Sequence, residues 1–222
     1  MDKKSILISV IITLSFIVIT VLIISLLNKN NENAYIKGNA VKSSETQDSS
    51  MSSHHRTPSP ADNSAFLSLL NKPAPDFTLE SFKGSEVTLS KLRGKNVVIF
   101  FSEGAMCYPG CWNQIDAFVG DTKLFDDKNT LVYTIVVDPR QDWKEAVDKD
   151  TKMASANVLL DTNKQASNDY EVLTVDSSMH RGQFPGHTYL IVDKDGIVRF
   201  EKDDVQMGIR NKELFLELDK LI

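Results

Sequence analysis

Cysteine is nearly absent, with Cys107 and Cys111 the two in a chain of 222 residues. That scarcity excludes a disulfide-stapled secreted module and a four-cysteine zinc site. Clustered positive charge is missing as well. Lys and Arg total 25 against 30 Asp and Glu, a net charge of −5, and with no basic cluster the balance argues against nucleic acid as a partner. A third absence is local: from Ser5 to Leu27, 23 consecutive positions carry no charge, glycine or proline.

That run defines the amino-terminal organisation. As a helix rising ~1.5 Å per residue it spans ~35 Å, enough for a hydrocarbon core ~30 Å thick. Lys3 and Lys4 precede it, whereas Lys29 follows almost alone with Glu32 close by. The bias of positive charge toward the cytoplasm leaves residues 1–4 inside and carries the rest outside. A cleaved signal peptide has an apolar stretch of about 7–15 residues and a small-x-small site; this run is longer and ends in Leu-Leu-Asn-Lys. A retained single-pass anchor at 5–27 is therefore expected, with an extracytoplasmic domain. No cysteine follows the run to carry a lipid. Residues 28–65 hold fourteen Ser or Asn in 38 positions, too little apolar surface to offset ordering, and read as a polar tether. His54-His55 within it is a solvated pair.

Residues 71–222 have ordinary globular composition and the size of one domain, large enough to bury a core without disulfides or metal. Phe66-Leu67-Ser68-Leu69-Leu70 suggests a short helix before it. Pro73-Ala74-Pro75-Asp76 is an extended lead-in, because residues before proline avoid the helical region. Gly84 separates Phe77-Thr78-Leu79 from Val87-Thr88-Leu89 as a hairpin would. Asn96–Phe101 and Leu131–Val137 are continuous apolar runs of strand length, the mark of strands buried on both faces. Trp112, Ile115, Phe118 and Val119 recur between them at helical spacing, giving a βαβ unit and a parallel pair. A helix at Trp143–Val147, a strand at Val158–Leu160 and a helix through Tyr170 follow. Lys194-Asp195-Gly196 then joins two apolar runs as a hairpin, and Leu214, Leu218 and Leu221 stripe a closing helix. This is an α/β domain with a central mixed sheet flanked by helices, in the order of the thioredoxin fold.

Cys107-Tyr108-Pro109-Gly110-Cys111 follows the first buried strand and precedes the first helix. A thiol at a helix amino terminus faces unpaired N–H groups and the positive end of the dipole, which favour thiolate. Cys107 is accordingly the expected nucleophile. Cys111, about one turn on, lies within the ~4.4–6.8 Å Cα range of a disulfide and would resolve a mixed disulfide.

Around these residues the sequence resembles the redoxin superfamily, which includes AhpC/TSA peroxiredoxins and TlpA-type membrane-tethered thiol–disulfide oxidoreductases. The resemblance rests on Pro73-Ala74-Pro75-Asp76-Phe77-Thr78-Leu79, on Phe100-Phe101-Ser102-Glu103-Gly104-Ala105-Met106-Cys107, and on Thr188-Tyr189-Leu190-Ile191-Val192-Asp193-Lys194-Asp195-Gly196. It implies a thiol oxidoreductase that takes protein disulfides or thiols, or peroxide, and a separate electron donor. It calls for no organic cofactor and no metal. Departures bear on the activity. Where peroxiredoxins carry a Thr or Ser and a Pro ahead of the reactive Cys, this chain has Gly104 and Phe100; where they carry an Arg near the terminal hairpin, it has His187. TlpA-type proteins place two residues between their cysteines, and this chain places three. Sco-type copper chaperones share the fold and the three-residue spacing, but their His falls at the register of Pro185, two residues before His187. The ranking is thiol–disulfide oxidoreductase, then thiol peroxidase, then copper delivery.

Further site candidates follow from position. Pro185 is the candidate for the cis-proline that faces the cysteine pair in this fold. Glu103 could move the proton of exchange or be a solvated loop carboxylate; His187, on the strand facing the site if Pro185 does, could transfer a proton as a neutral imidazole or be a plain hydrogen-bonded histidine. Arg181 is a loop guanidinium read as solvated; Met106, Met179 and His180 are spare soft ligands; Trp112 and Phe118 are core; Asp138-Pro139-Arg140 is a turn. Topology gives the first test. Mass spectrometry of the protein recovered from membranes is expected to show residues 5–27 retained, and a mature chain beginning near Asn28 would contradict the anchor.

Overall fold

Six consecutive buried residues, Asn96–Phe101, form the strand on which the rest of the molecule is assembled. Its side chains alternate between two cores, as the two-residue period of a strand requires. Val98 and Phe100 enter one apolar cluster, and Val97, Ile99 and Phe101 enter the other. The computed structural model describes residues 60–221. The expected anchor at 5–27, His54-His55 and nearly all of the tether lie outside the described residues, among which no helix is long and apolar enough to cross a membrane.

Seven strands form one mixed sheet: β1 (Thr78–Ser81), β2 (Glu86–Thr88), β3 (Asn96–Phe101), β4 (Thr130–Val136), β5 (Val158–Leu160), β6 (Thr188–Val192) and β7 (Val198–Asp203), in the order β2-β1-β5-β4-β3-β6-β7. β3, β4 and β5 are parallel, and β6 runs antiparallel to β3. The Gly84 and Asp195-Gly196 hairpins join β1 to β2 and β6 to β7 as the sequence suggests. Gly196 has φ +83, a left-handed turn conformation that costs glycine little.

The helices are α1 (Ser64–Leu67), α2 (Gly110–Gly120), α3 (Thr122–Asp126), α4 (Arg140–Lys149), α5 (Gln165–Asp169) and α6 (Asn211–Leu218). One face of the sheet is covered by Ile115 and Phe118 of α2, Trp143 of α4, and Leu214 and Leu218 of α6. The other is covered by Phe66, Leu89, Tyr170 and Val172. The stretch read as tether up to residue 65 reaches the domain before its end. Asp62 N–H donates to the Thr174 carbonyl at 2.9 Å, and Asn63 Nδ2 donates to Asp176 and Asp203 carboxylates at 3.0 and 3.1 Å. Phe66, fully buried beneath α1, explains why this segment is ordered.

Phe101 is buried and packs on Tyr170 with ring centroids 5.2 Å apart. Phe101→Ala removes a large side chain from the centre of the second core and is expected to destabilise the domain by about 3–5 kcal/mol. Urea unfolding checks this; a loss below ~1 kcal/mol would mean that the core collapses around the gap.

Candidate active site

A short 3₁₀ turn, Gly104–Met106, carries the chain from β3 to the cysteines. The two sulfurs are bonded, with Cα atoms 5.4 Å apart. Cys107 N–H donates to the Gly104 carbonyl at 3.2 Å, and Cys111 N–H donates to the Cys107 carbonyl at 3.0 Å. Helix α2 begins at Gly110, later than the motif suggests, so Cys111 stands in its first turn and Cys107 stands ahead of it. The amino-terminal amides and dipole thus act on Cys111 at least as directly as on Cys107. Access separates the two. Cys111 is 0% exposed and Cys107 3%, but Cys107 is flanked by Met106 and Tyr108 at 48% and 72%. Cys107 is therefore the sulfur that lies nearer the exposed surface.

His187 immediately precedes β6, and the pairing of Phe101 with Thr188 brings it to the cysteines. Its Nδ1 lies 3.4 Å from Cys111 Sγ, and its Nε2 lies 2.8 Å from the Tyr189 hydroxyl. Phe100 walls the ring at a centroid distance of 4.6 Å and stacks on Tyr189 at 4.9 Å. Burial lowers the imidazole to about 4, against the opposing pull of the Asp204 carboxylate, so it is neutral near pH 7. Asp204 is also why the neighbouring loop is held. It accepts from Gly208 N–H at 3.0 Å and from the Arg210 guanidinium at 2.6 and 2.7 Å, which sets the Gly208 carbonyl 3.0 Å from the Tyr189 hydroxyl.

Asp138, read from the sequence as part of a turn, is a buried carboxylate at the end of β4. Both of its oxygens accept from Ala105 N–H at 3.3 Å, and burial raises its carboxyl to about 6 against that donor's pull. It also explains Gly104. That residue has φ +67, and a Cβ there would lie 1.6 Å from Asp138 Oδ2. A Thr at this position is excluded by the carboxylate that fills its space.

The remaining candidates fall elsewhere. The cis peptide bond among the described residues is Tyr108–Pro109, so Pro185 is not the cis-proline; it is a buried trans residue just before His187. Glu103 is buried, but Oε1 accepts from Met179 and His180 N–H at 2.6 and 3.0 Å, and Oε2 lies 3.2 Å from His180 Nδ1. Its carboxylate thus fastens the loop between α5 and β6 and stands outside the sulfur–imidazole cluster, as does His180. Arg181 donates to the Asp176 carbonyl at 3.3 Å. Trp112 and Phe118 are core, as expected.

Cys107, Cys111 and His187 place their ligand atoms within 4.8 Å of one another. Two thiolates and an imidazole suit a soft metal, but as a disulfide the sulfurs offer no thiolate, so the set exists only in the dithiol state. The two-residue displacement of His187 from the copper-chaperone register does not keep it from the cysteines. Asp138, Tyr189 and Gln114 were not singled out from the sequence. Asp138 alone carried a signal: a carboxylate just past the carboxyl end of a strand parallel to β3, the end where α/β folds gather functional groups.

A thioredoxin-like α/β domain with a disulfide-bonded cysteine pair beside a buried imidazole defines a redoxin. The chain belongs to the AhpC/TSA family, whose model matches residues 70–201. It is 30% identical over 125 residues to the chloroplastic peroxiredoxin Q of Suaeda salsa, covering 56% of this chain and 55% of that protein. It is 30% identical over 166 residues to the alkyl hydroperoxide reductase C of Helicobacter pylori, covering 69% and 80%. The chain spans about half the length of the peroxiredoxin Q relatives it matches. In fold it resembles Enterococcus faecalis AhpC, with TM-score 0.60 and 20% identity over 68% of this chain and 91% of that one. Peroxidoxin BcpB from Mycobacterium tuberculosis gives TM-score 0.58 and 20% identity over 69% and 97%.

Asp138 and His187 pull stability in opposite directions with pH. Native Asp138 holds its proton more tightly than the unfolded chain, so its contribution is present at low pH and is lost as pH rises from 3.8 to about 6. Native His187 holds its proton less tightly, so stability rises with pH between about 4 and 6.5. Asp138→Asn removes the first slope and leaves the second. Relative to wild type, the variant is expected to gain about 2–3 kcal/mol between low pH and neutrality. Urea unfolding at both ends of the range measures this, and parallel curves for the two proteins would refute it.

Proposed function

We propose that the protein is a membrane-tethered, extracytoplasmic thiol–disulfide oxidoreductase that cycles Cys107 and Cys111 between dithiol and disulfide. The observation that carries the reading is the cysteine pair sealed against His187, beneath a Gly104 whose side-chain space is filled by Asp138. Cys107 thiolate attacks a substrate disulfide, and one substrate sulfur leaves with the electron pair of the broken bond. Cys111 then attacks the Cys107 sulfur of the mixed disulfide and the second substrate thiol is released. The substrate gains two electrons, the pair loses two, and a separate thiol donor returns them. The tether is supported by the 23-residue charge-free run with Lys3 and Lys4 at its start.

Thiol peroxidase is the second reading, favoured by the peroxiredoxin relatives. Peroxide reduction needs donors on the breaking O–O bond, and losing one such donor typically costs ~10²–10³-fold in rate. Gly104 has no hydroxyl to offer, and His187 stands in place of a guanidinium. Arg210, the arginine whose charge acts on His187, is committed to Asp204.

Stopped-flow oxidation of the reduced full-length chain by hydrogen peroxide, run beside reduction of a protein disulfide, separates the readings. Brisk disulfide reduction with peroxide reactivity near that of free cysteine is expected. Reactivity many orders of magnitude above a free thiol would promote the peroxidase, and stable retention of copper by the reduced chain without exchange would promote metal delivery. Cys111→Ser is expected to accumulate a mixed disulfide on Cys107, and Cys107→Ser to form none. The opposite pattern would reverse the roles.

A further inference from the structure

The polar groups behind His187 form a chain whose donor and acceptor directions are fixed from its far end. Asn211 Nδ2 donates to the Ala117 carbonyl at 2.9 Å and to Asp121 Oδ2 at 2.7 Å, which turns Asn211 Oδ1 toward Gln114. Gln114 Nε2 donates to that oxygen at 2.7 Å. Its Oε1 accepts from Arg210 N–H at 2.8 Å, a backbone donor that cannot reverse. The Tyr189 hydroxyl therefore faces two acceptors, Gln114 Oε1 at 2.9 Å and the Gly208 carbonyl at 3.0 Å. It has one proton, which must go to one of them, leaving its lone pairs for His187. If it instead donated to His187 Nε2, both of those oxygens would face it without a proton, an arrangement that is costly inside a protein.

We propose that Tyr189, Gln114 and Asn211 are positioning residues that hold neutral His187 with its proton on Nε2, so that the Nδ1 lone pair receives the Cys111 thiol proton in the resolving step. This rests on the dithiol reading above and assigns the base within it. The Cys111 S–H proton passes to Nδ1 as its sulfur forms the new bond to Cys107 Sγ. The bond from Cys107 to the substrate sulfur breaks, its electron pair departs on that sulfur, and the imidazolium returns the proton to the leaving thiolate. The charged groups acting on the ring from the packed elements are Asp204 and Arg210, paired with each other, with Glu213 beside Arg210. Neither touches Nδ1, which faces sulfur. Cys111 is fully buried in the disulfide state, with the His187 ring as its nearest polar neighbour.

The test is Tyr189→Phe in the full-length chain. The ring stacked on Phe100 is kept and only the hydroxyl is lost, so the fold is retained. Nitrogen-labelled histidine NMR, with His187→Gln assigning the signal, reads the tautomer directly. Wild type is expected to carry the proton on Nε2, and Tyr189→Phe to shift it toward Nδ1. With a small aromatic disulfide that releases a coloured thiolate at each step, the first release by Cys107 is expected to be unchanged. The second, resolving release is expected to slow about tenfold in Tyr189→Phe and on the order of 10²-fold in His187→Gln. A wild-type imidazole protonated on Nδ1, or a resolving step unaffected by Tyr189→Phe, would overturn the proposal. Failure of the dithiol reading shows separately, as loss of the second release in wild type, and the tautomer still decides the assignment.

Discussion

Phe101 lies between Ile135 of β4 and Thr188 of β6 in one row of the sheet, and the chemistry of the domain hangs from that row. One residue past Phe101 the chain turns toward the cysteines, a few residues past Ile135 it reaches Asp138, and one residue before Thr188 it presents His187. Three segments distant in sequence are brought together by hydrogen-bond register alone. Because side chains alternate along a strand, a slip of one residue in β6 would carry His187 and Tyr189 to the opposite face. Close packing of side chains on both faces of β3 and β6 opposes the slip, because each shifted side chain would meet a neighbour of the wrong shape.

The site that results is dry on the helix side. Cys111, Gln114, His187 and Tyr189 are all fully buried or nearly so, which makes each polar contact among them matter. An unpaired polar group in such a place costs free energy of the order of the hydrogen bond it lacks, so the chain from Asn211 to the sulfur has little freedom in its directions. Asp138 shows the same economy on the other side of the cysteines. Its carboxylate holds the Ala105 amide and occupies the volume that a side chain on Gly104 would need.

The loop from Asp204 to Arg210 is the second support. Asp204 organises it through two backbone amides and one guanidinium. Met207 packs so closely on the start of α2 that a Cβ on Gly110 would lie 3.2 Å from its own. The helix that carries Cys111 and the loop that orients Tyr189 are thereby fitted to each other. Glu103, one of the residues expected to move protons, has a similar structural role, because both of its oxygens tie down residues 179–180.

Much of this was legible in one dimension because the signals are local. Continuous apolar runs marked β3 and β4, three-to-four spacing marked α2, Asp195-Gly196 marked the β6–β7 turn, and the spacing of Cys107 and Cys111 matched the reach of a disulfide. His187 was named from the sequence only through Pro185, and it is the pairing of Phe101 with Thr188 that sets it beside Cys111. What the sequence could not decide depended on contacts between distant segments. Whether Glu103 met the sulfurs or a loop was set by where residues 179–180 fold, and the cis bond fell at Pro109 instead of Pro185 for no reason visible in either dipeptide. Asp138 looked like a turn residue until the parallel pairing of β4 with β3 placed it beneath Gly104. The direction of the hydrogen bonds through Tyr189 and Gln114 belongs wholly to the tertiary structure, because a donor's choice among acceptors is fixed only when all of them stand in place.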